Sequence, residues 1–331
     1  MTRPDYLLRG GDLCMSQPLA LTGATMYSFL LGADHAALTR LVDAQLNPVA
    51  AGAGWTYKPL LPMAALVCAD ITRSWSLTPP DSDKGWMRER DFGLWIPVAA
   101  GRMRGGLFEV DRIAWYLPYV YVDNVAAMIT GREVFGFFKQ TATLAMPPSP
   151  TTPGDFTVDA LAIPHFAPSS EATVTRLLTL ASGASGPAPG ASIWSGPVDA
   201  ARHLVGEIER RFFHPAQAEA LPVPTWKLIE TLLLDAVRGL VPMVFLRQLR
   251  DVAEPHKACY QAVVEAPSHL TAWHGGGLCH PHTLTMPPCD SHPMAADLGL
   301  ASSPIGVDLG FWTQMDFEMR AGVTIAERTT A

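Results

Sequence analysis

Five runs between residues 61 and 164 constrain this chain more than anything else in it: LPMAALVCADI, FGLWIPVAA, GLFEVDRIAWYLPYVYVD, EVFGFFKQTATLAM and FTVDALAIP. Each is rich in β-branched and aromatic residues, and Gly, Pro and Asp separate them, which is how strands and their turns read. Strand character returns towards the C-terminus in ACYQAVVEAP, TLTMPP and GVDLGFWTQMDFEMRAG. The two sets are expected to pair into one mainly antiparallel sheet system with helices packed outside it. The fold class this implies is α+β, dominated by β, in a single domain over residues 1–331.

Helical spacing is confined to a few places. Residues 34–47 put Leu38, Leu41, Val42 and Leu46 on one face, with Asp34 placed to cap the start. Residues 198–213 and 225–252 show the same periodicity, the second kinked or split at Gly239 and Pro242. Between 147 and 200 Pro, Ser, Thr, Gly and Ala crowd together, which reads as loops or an insertion around one short helix at 171–182.

Several function classes drop out. Net charge is -7, from 24 Lys+Arg against 31 Asp+Glu, and no basic run could track phosphates, which argues against nucleic acid. No apolar stretch approaches the roughly 20 residues of a membrane-crossing helix. The opening MTRPDYLLRGG lacks the apolar core of a signal peptide, so a cytoplasmic protein without a membrane partner is expected. Cys14, Cys68, Cys259, Cys279 and Cys289 are odd in number and sparse, and read as free thiols. No Walker-type or GxGxxG loop supports a nucleotide cofactor.

Lysine usage is more telling. Only five of the basic residues are lysines, and arginine cannot be deprotonated to serve as an amine nucleophile. Lys58 precedes a proline, Lys84 sits in the polar DSDKG, Lys227 opens a helix and Lys257 lies in an apparent loop. Lys139 differs, because strand alternation in GREVFGFFKQTATL places it on one face with Phe135, Phe137 and Thr141. Burial among apolar groups disfavours an ammonium, so such a lysine is expected to be a neutral amine able to attack a ketone, provided no permanent carboxylate bridge holds it. The plainer alternative is a rim lysine whose stem packs on Phe while its amine reaches water.

The stretch YVYVDNVAAMITGREVFGFFKQ, residues 119–140, resembles a segment of the acetoacetate decarboxylase superfamily, and Lys139 falls on that family's Schiff-base lysine. Further similar patches are MYSFLLGADHAALTRLVDAQL, FGLWIPV, HPMAADLGL and MDFEMRAG, in the family's order and over most of the chain. The Pro/Ala/Gly-rich region and the helix after it resemble an elaboration on the smallest members. The resemblance implies a barrel-like sheet system and a lyase that holds a small keto acid or related carbonyl compound as a lysine imine, without a separate cofactor. Decarboxylation and aldol condensation with dehydration both use such an imine; a non-catalytic binder of the same fold is the competing class. A homo-oligomer is expected.

Departures from the pattern matter. The family's proline before the lysine is Phe138 here, and its following second lysine is Gln140, so desolvation alone is left to activate Lys139. In register, the family's two active-site carboxylates fall near Ala64 and Asp91, and its substrate arginine near Ala24. Only Asp91 keeps the chemistry, with Glu89 as the fallback acid or base and a solvated place in RERD as its plainer reading. These losses shift the expectation from acetoacetate towards another substrate, with aldol-type chemistry slightly ahead. Arg132 and Glu133 are expected to position the lysine strand, Glu133 also being a catalytic candidate. Tyr119 and Tyr121 share a strand face and could offer a phenol to the substrate, although packing is their commoner role. Phe137, Arg132 and Gln140 complete the expected substrate contacts.

One other cluster stands out. HGGGLCHPHTLTMPPCDSH contains two Cys-x-x-His pairs, Cys279 to His282 and Cys289 to His292, with ligand types that suit zinc. The spacer between them is short and strand-like, so free thiols and hydrogen-bonded histidines are the default and no metal is expected.

Overall fold

The computed structural model describes residues 5–183, 193–212 and 241–329, and among these fifteen strands form one extended sheet. The N-terminal strands are β1 (Leu19–Gly32), β2 (Thr56–Pro59), β3 (Met63–Ser76), β4 (Met87–Arg104) and β5 (Leu107–Val122). The middle set is β6 (Lys139–Ala145), β7 (Phe156–Ala162) and β8 (Thr173–Ser182). The C-terminal set is β9 (Met243–Arg250), β10 (Ala258–Ala266), β11 (Ser268–Leu278), β12 (His282–Thr285), β13 (Ile305–Val307), β14 (Gly310–Met319) and β15 (Val323–Thr329). The helices are α1 (His35–Gln45), α2 (Asn47–Ala50), α3 (Val125–Thr130), α4 (Pro197–Phe212) and α5 (Met294–Leu298).

The strand order is β11-β14-β1-β3-β4-β5-β6-β7-β8-β12-β13, with β9, β10 and β15 branching off β5. Pairing is antiparallel except at β5–β6 and β5–β9. The mainly antiparallel α+β expectation therefore holds. The sheet is not closed, since the two ends of the path do not pair. No helix among the described residues is long and apolar enough to cross a membrane.

Period-two alternation divides the central strands between two environments. On β3, Ala64, Leu66 and Cys68 enter the main core, whereas Met63, Ala65, Val67, Ala69 and Ile71 face a cavity on the other side of the sheet. On β4, Phe92, Leu94, Ile96 and Val98 join the same core, and Glu89, Asp91, Gly93 and Trp95 line the cavity. Strands apolar on both faces read as near-continuous hydrophobic runs, which is why they were so plain in the sequence. Helix α1 forms as expected: Asp34 Oδ1 accepts from Ala37 N at 2.7 Å, and Leu38, Leu41 and Val42 are buried.

Three local expectations fail. Residues 171–182 are not helical, since Thr173–Ser182 is β8, paired between β7 and β12. The helix expected over 225–252 cannot include Met243–Arg250, which is β9. There, Val244 and Phe245 are buried and the segment pairs with both β10 and β5, so sheet pairing overrides a helix-like period. The rest of that stretch, 225–240 with Lys227, lies outside the described residues, as does 184–192 of the Pro/Gly-rich region. Finally, Gly131–Phe135 is a π-helical turn continuing α3, and the strand begins only at Lys139.

Candidate active site

Lys139 opens β6, the strand at which the sheet passes from β5 to β7. Its position is set from both sides. Upstream, the π-helical turn closes with Gly136 N donating to Gly131 O at 2.8 Å, a feature often found at functional sites. Gly136 then reverses the chain at φ +101°, a conformation that L side chains resist. Arg132 Nη1 donates to the Lys139 carbonyl at 3.0 Å while its guanidinium stacks over exposed Phe138. Downstream, β6 pairs in parallel with β5, Val120 lying opposite Lys139.

This register points the Lys139 side chain into the cavity, next to Val120. The lysine stem runs over Gly131, where a Cβ would stand 2.5 Å from Lys139 Cδ, so the glycine of the GRE motif is the space the stem occupies. Phe137 packs alongside, its ring centroid 5.4 Å from Nζ, and stacks in turn on Phe245. Lys139 is buried, with 7% relative exposure.

Two carboxylates meet the amine. Nζ lies 3.2 Å from Glu89 Oε2 and 3.4 Å from Asp91 Oδ2, both projecting from the same face of β4 two residues apart. Glu89 is buried and the Asp91 side chain is 25% exposed. Asp91 Oδ1 is buried and has no hydrogen-bond partner among the described residues. Burial pushes the Asp91 carboxyl up, the Lys139 charge pulls it back, and the Glu89 charge adds to the rise, leaving it at about 7.

The same balance overturns the expected neutral amine. Burial does push Lys139 down, but the charges of Asp91 and Glu89 and their hydrogen bonds together outweigh it and hold the ammonium above the ordinary lysine value. Ala64, near which the register had placed a second acid, faces the main core, and the second carboxylate beside Lys139 is that of Glu89, two residues before Asp91. Asp91 and Glu89 are thus both brought to the lysine.

Around this triad lies a cavity of about 320 Å³ with largely apolar walls. Beyond the triad, the hydroxyl-bearing residues on its walls are Ser28, Thr130, Ser268 and Thr313. Three tryptophans, Trp95, Trp115 and Trp273, line it, and none was singled out in the sequence because an isolated Trp in a strand carries no spacing signal.

No family model matches the sequence, nor does any curated protein at a significant level. Solved structures do match. Acetoacetate decarboxylase from Legionella pneumophila aligns over 99% of this chain and 93% of its own, with a TM-score of 0.57 and 14% identity. The chain has an acetoacetate decarboxylase-like fold. The enduracididine biosynthesis enzyme MppR complexed with pyruvate aligns over 96% and 93% of the two chains, with a TM-score of 0.53 and 16% identity. An acetoacetate decarboxylase-like enzyme from Sphingomonas wittichii RW1 aligns over 99% and 100%, with a TM-score of 0.52 and 12% identity.

On this fold five expected site residues fall outside the cavity, the first being Arg132, which is exposed and whose guanidinium engages the Lys139 carbonyl and the Phe138 ring instead of a substrate. Tyr119 and Tyr121 flank Val120 and so point to the opposite face, into the main core. There the Tyr119 hydroxyl donates to Asp297 Oδ2 at 2.5 Å and Tyr121 packs towards Met294. Gln140, opposite Tyr121, takes the same side, its Oε1 lying 3.0 Å from His292 Nε2. Glu133, expected as a catalytic candidate, is exposed on the π-helical turn and does not line the cavity. The Cys-x-x-His pairs do not converge either: no group of three or more His, Cys, Asp or Glu among the described residues could hold a metal ion. His282 instead bonds the His280 carbonyl, and His292 bonds Ser291 and Gln140.

Proposed function

We propose that this protein is a lyase that holds a carbonyl substrate as an imine on Lys139. The observation that carries the reading is the buried Nζ on the wall of an apolar cavity with two acids within 3.4 Å. A charged lysine is not a nucleophile, so a proton must first leave. Charge-assisted hydrogen bonds are usually about 2.7–2.9 Å long, and the two contacts here are longer and shared, which is a loose cradle rather than a locked bridge. Asp91, titrating at about 7, is the acceptor whose affinity allows it to take the lysine proton and return it near neutral pH.

The steps balance. The freed nitrogen bonds to the carbonyl carbon, both remaining amine protons leave with the carbonyl oxygen as water, and the proton on Asp91 returns to make the iminium. Ammonium and iminium carry the same charge, so the carboxylates that stabilise one stabilise the other. The iminium then draws electrons from the adjacent carbon–carbon bond, which supports aldol-type bond making or breaking and, where the substrate has a β-carboxylate, loss of CO2. The structural neighbours include an acetoacetate decarboxylase and an enzyme complexed with pyruvate, both consistent with a carbonyl substrate.

The cradle also favours a second reading: a binder of the same fold whose lysine stays protonated and only donates hydrogen bonds. Borohydride trapping separates the two. Incubation with carbonyl compounds followed by reduction and digestion should give a mass adduct on the peptide bearing Lys139, and none in Lys139→Met. Binding without an adduct would rule out the imine.

A further inference from the structure

We infer that the substrate is an elongated, apolar aldehyde or ketone without a carboxylate, held with its carbonyl at Lys139 and its body along the sheet. This rests on the imine reading and narrows it. The first support is the cavity wall. It follows β3 from Ala69 and Ile71, beside the acids, to Met63, a strand path of roughly 26 Å at about 3.3 Å per residue. About 320 Å³ drawn out over such a path is a channel, and it is within the range that accommodates drug-sized ligands of about 300–1,000 Å³.

Charge is the second support. Among the described residues that line the channel, Lys139 is the only cation, and Glu89 and Asp91 already face it. A keto acid would bring a further carboxylate into an apolar space with no free counter-charge, at a desolvation cost of several kcal/mol. An apolar chain meets no such penalty and gains about 25 cal/mol for each Å² removed from water.

The far end supplies the third. Helix α4 turns Ala200, Ala201, Leu204 and Ile208 onto the channel, and Ile208 clusters with Leu61, Met63 and Ala65, well away from Lys139. The helix that follows the Pro/Gly-rich region is therefore a wall for the distal part of a long ligand. A small keto acid would never reach it. Without a carboxylate to lose, the chemistry that remains is making or breaking a bond to the carbon beside the imine.

Binding to Lys139→Arg, which cannot form an imine but keeps the cation, tests the substrate class on its own, with intrinsic tryptophan fluorescence, to which Trp95, Trp115 and Trp273 of the channel wall contribute, as the readout. Benzylideneacetone and dodecanal should bind at least tenfold more tightly than pyruvate or acetoacetate. With the wild-type protein, adduct formation on Lys139 should rise along the series butanal, octanal, dodecanal. Equal or tighter binding of either keto acid, or no measurable binding of the apolar probes, overturns the inference. Tight apolar binding with no borohydride adduct on Lys139 of the wild type would leave the substrate class standing and remove the imine. Ala201→Trp, at the distal wall, should lower dodecanal trapping at Lys139 at least tenfold more than it lowers butanal trapping; equal loss of both counts against the channel.

Discussion

Replacing Glu89 by Gln and Asp91 by Asn together removes the charges that keep Lys139 protonated but leaves its burial in place. At 3.2 and 3.4 Å, and an effective dielectric near 20, each carboxylate attracts the ammonium by about 5 kcal/mol. Burying a single charge costs on the order of several kcal/mol. Two carboxylates therefore outweigh burial, one comes close to balancing it, and with neither the sign reverses. Wild-type Lys139 should titrate above an ordinary lysine, each single variant lower, and the double variant below the ordinary value. Five lysines make this measurable by NMR of isotope-labelled lysine Cε, with Lys139 assigned from the Lys139→Met spectrum. A wild-type Lys139 that titrates below an exposed lysine, or a double variant still above it, refutes the balance of burial and charge argued here.

Gly131→Ala should place a methyl group 2.5 Å from Lys139 Cδ and push the amine off its cradle. Displacement on the scale of 1 Å can cost about 10²-fold in rate, so borohydride trapping should slow by about that factor; an unchanged rate would show that the stem has room to spare. The part of wild-type trapping that Asp91 relays should rise about tenfold per pH unit up to about pH 7 and then level off, above which direct loss of the lysine proton goes on adding to it. The sign follows from Asp91, which below its raised pKa already carries a proton and cannot accept the lysine's; Asp91→Asn should lose the relayed part and keep only the steady rise towards the lysine's own pKa. Gln140→Ala should leave trapping unchanged, because Gln140 bonds His292 on the face of the sheet away from Lys139, and a large loss of trapping would contradict that placement.

Much of this protein was legible in its residues. The apolar runs that became β3, β4 and β5, the capped α1 and the singular lysine among phenylalanines all depend on short-range chemistry: side-chain shape, period and the rarity of an amine in apolar company. Asp91 was named from the sequence with Glu89 only as its fallback, and that both reach the amine follows from their lying two apart on one strand face. What the sequence could not show was which strands would pair. The parallel register of β5 with β6, joining segments through α3 and a π-helical turn, sends Lys139 and Val120 one way and Tyr119, Tyr121 and Gln140 the other. A shift of one residue would exchange the two sets. The charge state of Lys139 likewise waited on the tertiary structure, since burial and ion pairing act in opposite directions and only the distances from Nζ to Glu89 and Asp91 decide between them. The channel itself belongs to no segment: its walls come from strands and a helix far apart in the chain, and only their packing encloses it.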